Sequence, residues 1–149
     1  MSSSNKYLAV IKELYKGYAA AKNFQKTAGM CRVVSVDKGR VQVEFDVSEE
    51  HTNPLGTLHG GMTASLVDIV TSTAVRATGR ENVGVTVDLT VSYLAPARIG
   101  DTVIVDGSVT KMGRSMAYTR ADLRLKSDDS IIATALHTKA FPLMRPPPK

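Results

Sequence analysis

The stretch Gly60-Gly61-Met62-Thr63-Ala64-Ser65-Leu66-Val67-Asp68-Ile69-Val70-Thr71-Ser72-Thr73-Ala74-Val75-Arg76-Ala77-Thr78 decides the fold. Apart from Asp68 and Arg76 it carries no charge. Met62, Ala64, Leu66, Val67, Ile69, Val70, Ala74 and Val75 put apolar or small residues on nearly every side of a helix. Such a helix belongs inside a protein rather than on its surface. At its polarity and length it is no membrane span.

Working outward, the periodicity on both sides is two rather than 3.6. Upstream, Val34 and Val36 lead into the turn cluster Asp37-Lys38-Gly39-Arg40. Val41, Val43, Phe45 and Val47 then alternate with Arg40, Gln42, Glu44 and Asp46, which predicts a β-hairpin with one buried face. Downstream, Val83, Val85, Val87, Leu89, Val91 and Tyr93 alternate with Gly84, Thr86, Asp88, Thr90, Ser92 and Leu94 until Pro96. Further strands follow at about 102–111, 115–126 and 130–141, separated by Met112-Gly113-Arg114 and Ser127-Asp128-Asp129. At the N-terminus, Lys6 to Phe24 places Leu8, Ile11, Leu14 or Tyr15, Tyr18 and Ala21 on one helical face, with Ser2, Ser3 or Ser4 as candidate caps. Two strands, a buried helix and four strands make an α+β pattern in which an antiparallel sheet curls around one helix. The far side and edges of the sheet then need a cover, and another subunit is the economical one.

The chain has 149 residues, 43% hydrophobic and 22% charged. That predicts one globular domain over 1–149, with an N-terminal helix in 1–25 and a flexible Pro-rich tail at 145–149. Nineteen Lys and Arg against 14 Asp and Glu leave a net charge of +5, an invitation to polyanions in general: nucleic acid, an anionic surface or a phosphorylated small molecule. Five Tyr, three Phe and no Trp offer few stacking platforms for single-stranded nucleic acid. The single Cys31 allows no intrachain disulfide and suits a reducing compartment. There is no signal-peptide core, while Lys6, Lys12, Lys16 and Lys22 resemble a weak mitochondrial presequence without its arginines. The expected location is cytoplasmic, mitochondrial or both.

Asp68 is the conspicuous residue. A carboxylate in the centre of an apolar helix costs several kcal/mol without a partner, and positions i±3 and i±4 hold Ala64, Ser65, Thr71 and Ser72 rather than a cation. It is either tied to Ser65, Ser72 or a subunit seam, or kept in a pocket as general base or nucleophile. Gly60 and Gly61 open the helix with bare backbone N–H groups at the positive end of its dipole, where an oxyanion could be held; a plain glycine turn is the other reading. Asn53, beside Pro54, reads as a turn former and His59 as a loop or capping residue.

The string His51-Thr52-Asn53-Pro54-Leu55-Gly56-Thr57-Leu58-His59-Gly60-Gly61, continuing to Asp68, resembles the H-x-N-x-x-G-x-x-H-G-G-x-x-x-x-x-x-D signature of hotdog-fold acyl-coenzyme A thioesterases. Val85-Thr86-Val87-Asp88-Leu89, Ser92 to Gly100 and His137-Thr138-Lys139 also match that pattern. The resemblance implies a hotdog fold, dimers joined edge to edge, tetramers, and active sites at the dimer interface. It implies hydrolysis of medium or long fatty acyl-CoA without metal or redox cofactor, coenzyme A being part of the substrate. Carried over by position, Asn53 and the Gly60 N–H would polarise the thioester carbonyl, and Asp68 with the Thr86 hydroxyl would position and deprotonate water. His59 would support the loop and product release. Thr86 stands where the family pattern has Ser, adding a methyl group. Asp88, the segment Tyr93-Leu94-Ala95-Pro96-Ala97-Arg98 and the turn Lys111-Met112-Gly113-Arg114-Ser115-Met116 would form the substrate and coenzyme A surface, Arg98, Lys111 and Arg114 holding the nucleotide. A hydratase of the same fold would need a different His and acid pair. A non-catalytic acyl-CoA sensor could dispense with Asp68, and a nucleic-acid binder rests on the net charge alone.

Overall fold

The computed structural model describes residues 3–143 and 148. The N-terminal helix α1 (Ser3–Ala19) is followed by a 3-10 helix (Phe24–Ala28), the hairpin β1 (Arg32–Asp37) and β2 (Arg40–Asp46), and the long helix α2 (Gly60–Arg76). Four strands complete the chain: β3 (Val85–Tyr93), β4 (Thr102–Met112), β5 (Met116–Leu125) and β6 (Ile131–Ala140). They form one antiparallel sheet in the order β1-β2-β4-β5-β6-β3. This is the hotdog arrangement, with α2 packed in the concave face.

The helix sits close because β4 lets it. At Gly107 an added Cβ would lie 3.0 Å from Val70 Cγ1 and 3.3 Å from the Thr71 N, so a side chain there would push α2 off the sheet. Leu66, Val67, Val70, Ala74 and Val75 on α2 are fully buried, as are Val41, Val43, Phe45, Val103, Val105 and Leu123 from the sheet. Burying a side chain of the Val, Leu or Phe type contributes about 1.5–3 kcal/mol, so this interface is the main source of the fold's stability. The hairpin expectation holds for Val36, Val41, Val43, Phe45 and Val47, all buried. It fails for Val34, which is 48% exposed: a register shift between Val33 and Ser35 turns it outward.

Two other expectations change. Helix α1 ends at Ala19 rather than near Phe24. Its last turn tightens into i→i−3 bonds, Ala20 N to Gly17 O and Ala21 N to Tyr18 O, and the Asn23 side chain then accepts from Gln25 N to cap the separate 3-10 helix. Ile11 and Tyr15 bury α1 against the core, the Tyr15 hydroxyl lying 3.3 Å from Thr73 Oγ1. The side chains of the proposed caps Ser2, Ser3 and Ser4, and the tail over 145–149 apart from Pro148, lie outside the described residues.

The second change concerns β3. Its strict alternation predicts one apolar face containing Val85, Val87, Leu89, Val91 and Tyr93. The register runs Thr86↔Lys139 and then Asp88↔Thr138, so Val87 is an extra residue. This bulge switches the parity of the strand: Thr86 points inward with Leu89 and Val91, while Val85 and Val87 are 55% and 58% exposed. β3 is also the last strand of the sheet, bonded to β6 on one side only.

Candidate active site

Asp68 lies midway along α2, half-buried, on the stripe of the helix that faces β3 rather than the core. The helix serines do not hold its carboxylate, because Ser65 Oγ donates to the Gly61 carbonyl and Ser72 Oγ to the Asp68 carbonyl. The nearest hydrogen-bonding group found for the carboxylate among the described residues is the Thr86 hydroxyl, Oγ1 to Oδ2 at 3.5 Å, the outer limit of such a bond. The Asp68 carboxylate opens on a cavity of about 200 Å³ lined by Phe24, Gln25, Ala64, Ser65, Ile69 and Leu89.

Behind Thr86 runs a buried polar chain from β6. His137 is fully buried, with Nε2 2.9 Å from Thr86 Oγ1 and Nδ1 2.7 Å from Thr71 Oγ1. Thr71 also back-bonds to the Val67 carbonyl at 2.7 Å. With the Thr71 proton in that bond, Nδ1–H donates to Thr71 and Nε2 accepts the single Thr86 hydroxyl proton at 2.9 Å, so that Thr86 Oγ1 stands 3.5 Å from Asp68 Oδ2 with no second proton to give it. Burial pushes the His137 imidazolium below its ordinary range, with Lys139 adding to the shift and Asp68 and Asp88 opposing it, so the neutral ring this assignment requires is the favoured form. Two residues further on, Lys139 is 3% exposed and donates from Nζ to Ser72 Oγ at 2.8 Å. Burial lowers its ammonium pKa too, and the negative charge of Asp68 opposes that. No carboxylate lies within ion-pair distance of it among the described residues.

The start of α2 is built separately. His59 is the N-cap, Nδ1 accepting from Gly61 N at 2.8 Å. That leaves the Gly60 N–H, for which no hydrogen bond is found among the described residues. Tyr93 closes over this point: its hydroxyl donates to the Gly60 carbonyl at 2.7 Å, and a Cβ on Gly60 would meet the ring at 3.2 Å. The Asn53 loop folds on itself, Oδ1 accepting from Leu55 N and Thr57 N and Nδ2 donating to Thr57 Oγ1. The amide has two N–H donors, and one remains.

Asp68 and Thr86 therefore meet within one chain, and Gly60, His59 and Tyr93 meet elsewhere. None of Asn53, His59 or Gly60 lines the cavity at Asp68. The candidate coenzyme A residues are also divided. Tyr93, Leu94, Ala95, Pro96 and Arg98 are exposed at the end of β3 and beside the start of α2, where the Ala97 carbonyl, itself buried, accepts from Leu58 N. Lys111, Gly113, Arg114 and Ser115 are exposed at the other end of the sheet, while Met112 packs into a small cluster with Val75, Ala117 and Phe141 and Met116 is half-buried. The β4 register separates the two groups by roughly 30 Å at about 3.3 Å per residue. Asp88 faces the outer side of the sheet, opposite Thr138.

His137 and Lys139 carry the site further than the residues singled out from the sequence. Their signal was present as two polar residues on the same parity as the buried Ala133 and Ala135 of β6. Phe24 and Gln25 gave none, since their part in the cavity comes from the break after α1.

A six-stranded sheet wrapped on one helix, with an acidic helix residue facing a pocket, is an architecture that thioesterases share. Residues 55–132 match the family model described as "Thioesterase superfamily", and the chain belongs to that superfamily. It is 40% identical over 129 residues to human acyl-coenzyme A thioesterase 13, covering 87% of this chain and 92% of that one. The crystal structure of zebra fish thioesterase superfamily member 2 superposes with a TM-score of 0.87 at 37% identity, over 89% of this chain and 96% of that one. A Streptococcus mutans protein bound to acetyl CoA gives a TM-score of 0.69 at 27% identity, over 74% and 88%.

Proposed function

We propose that the protein hydrolyses medium- and long-chain fatty acyl-coenzyme A to free fatty acid and coenzyme A, in sites shared between two copies of the chain. The observation that carries this is the Asp68 carboxylate: half-buried beside an apolar cavity, with no hydrogen-bonding group found closer among the described residues than Thr86 Oγ1 at 3.5 Å. The relatives named for acyl-CoA hydrolysis and the one bound to acetyl CoA support the choice of thioester.

The free edge of β3 supports the shared site. A second copy added across a two-fold axis pairs β3 with itself antiparallel. The Tyr93 end of one strand then meets the Val85 end of the other. Because Tyr93 is bonded to Gly60 and Thr86 lies beside Asp68, the same operation carries the helix start of one copy toward the carboxylate of the other. It also brings Arg98 of one copy toward the Lys111–Arg114 turn of the other, assembling a basic surface for the coenzyme A phosphates.

In this reading Asp68 and Thr86 hold a water. As its oxygen bonds to the thioester carbon, a proton passes to the Asp68 carboxylate. The free Gly60 N–H and the second Asn53 N–H take the developing oxyanion, and collapse breaks the C–S bond and releases the thiolate, which takes up the proton. Nothing beyond these residues is needed, since a thiolate is a good leaving group.

Thiol release from acyl-CoAs tests this directly. Asp68→Asn keeps the shape and removes the base, and its kcat is expected to fall by at least the roughly hundredfold typical of a positioned acid–base group. Asn53→Ala, losing an oxyanion donor, should lose on the order of 100-fold or more. Binding of acyl-CoA with no turnover by the wild type would replace the enzyme by a sensor.

A further inference from the structure

Two cavities lie at the break between α1 and the 3-10 helix and share Gln25 in their linings. The first is the pocket at Asp68, about 200 Å³, lined on one side by Phe24 and Gln25. The second is a larger apolar groove of about 660 Å³ along α1, lined by Val10, Leu14, Gly17, Tyr18, Asn23 and Gln25 among others. Phe24 faces the pocket, Asn23 faces the groove, and Gln25 lines both. Gln25 also lies beside the Tyr18 phenol, which lines the groove as well. From these observations we infer that the groove along α1 is the distal subsite for the acyl chain, entered from the Asp68 pocket past Gln25, and that it sets the preference for long chains.

The volumes make the step necessary if long chains bind at all. An engineered cavity of about 150 Å³ accommodates benzene, six carbons. On that scale the pocket at Asp68 holds about eight carbons, so the remaining methylenes of a palmitoyl chain have to leave it. The groove is apolar, shares Gln25 with the pocket, and is large enough for all of them. Its one charged lining residue, Glu13, is turned to solvent and paired with Lys16. Each methylene moved from water into it should raise kcat/KM by up to about fourfold, the equivalent of burying one CH₂.

The inference rests on the acyl-CoA reading above, and one comparison separates the two. Gly17 is exposed in the last turn of α1, with no heavy atom within 4 Å of where a Cβ would stand, so Gly17→Trp fills the groove without displacing the backbone and replaces a poor helix former. The quantity to measure is the ratio of kcat/KM for palmitoyl-CoA to that for octanoyl-CoA, both below their micelle concentrations; this ratio does not depend on how much of the variant is folded. The wild type should favour palmitoyl-CoA, and Gly17→Trp should lower the ratio at least tenfold. A ratio unchanged within twofold in the variant, or a wild type that hydrolyses octanoyl-CoA as efficiently as palmitoyl-CoA, overturns the groove and leaves the thioesterase reading standing. A wild type that releases thiol from neither overturns that reading and the groove with it.

Discussion

His137 is a neutral, fully buried imidazole whose two nitrogens are both engaged, by Thr71 on the helix and Thr86 on the edge strand. It does not itself line the cavity and has no hydrogen bond to the Asp68 carboxylate, so it acts by fixing the Thr86 rotamer. Small misplacements at a reacting centre cost up to about 100-fold. His137→Ala is accordingly expected to lower kcat 10- to 100-fold with KM little changed, which steady-state kinetics would show. The same residue gives an acid-side stability signature. Its folded-state pKa lies below the unfolded value of about 6.5, so the unfolded chain binds the extra proton. Stability contributed by the neutral ring is complete above pH of about 6.5 and is lost as pH falls from there toward the folded pKa. Thermal melts from pH 7.5 downward should show the wild type losing stability faster than His137→Gln; parallel curves would count against a buried neutral His137. The roles of these residues were only partly legible from the chain. Asp68 stood out because a charge in an apolar helix is anomalous wherever the helix lies, whereas a His and a Lys in a strand become anomalous only once that face is known to be buried.

At the level of elements, the apolar helix and the alternating hairpin are written in local periodicity and could be read. The bulges were not legible, because they arise from the pairing of two strands rather than from the composition of one. The extra residue Val87 puts Thr86 on the inner face in a strand whose alternation does not break there, and the one between Val33 and Ser35 sends Val34 outward, where the consecutive valines 33 and 34 interrupt the alternation without saying which of them is buried. The approach of α2 to β4 is equally invisible from the chain, since Gly107 reads simply as a glycine in a strand. It makes a sharp stability prediction. Gly107→Val would drive its Cβ and methyl groups against Val70 Cγ1 and the Thr71 backbone, already 3.0 and 3.3 Å from a bare Cβ. Overpacking of this kind typically costs 1–3 kcal/mol. Chemical denaturation should show a lower midpoint with an unchanged slope; a midpoint equal to the wild type would mean that the helix and sheet part easily at this contact.

For the whole molecule, one chain holds all the proposed residues and yet does not join them. Asp68 and Thr86 sit in one place, His59 and Gly60 in another, and Asn53 in the loop before them. The sequence placed all five within a short span, but closeness along the chain does not mean a shared cavity: the helix that carries Gly60 and Asp68 also holds them apart, two turns along its axis. Sheet order offers what the motif lacks, since among the described residues β3 ends the sheet with an unpaired edge, and the two-fold axis proposed along it would exchange the two half-sites. The prediction belongs to the assembly and can be checked by mixing inactive variants. Asp68→Asn and Asn53→Ala, each inactive alone, are dissociated, combined in equal amounts and reassociated. Random pairing makes half of the dimers mixed, and in each of those one of the two shared sites is assembled from unmutated halves. Activity should return to about a quarter of the wild-type value. If each site were contained within a single chain, every site in the mixture would carry one of the two mutations, and no activity would return.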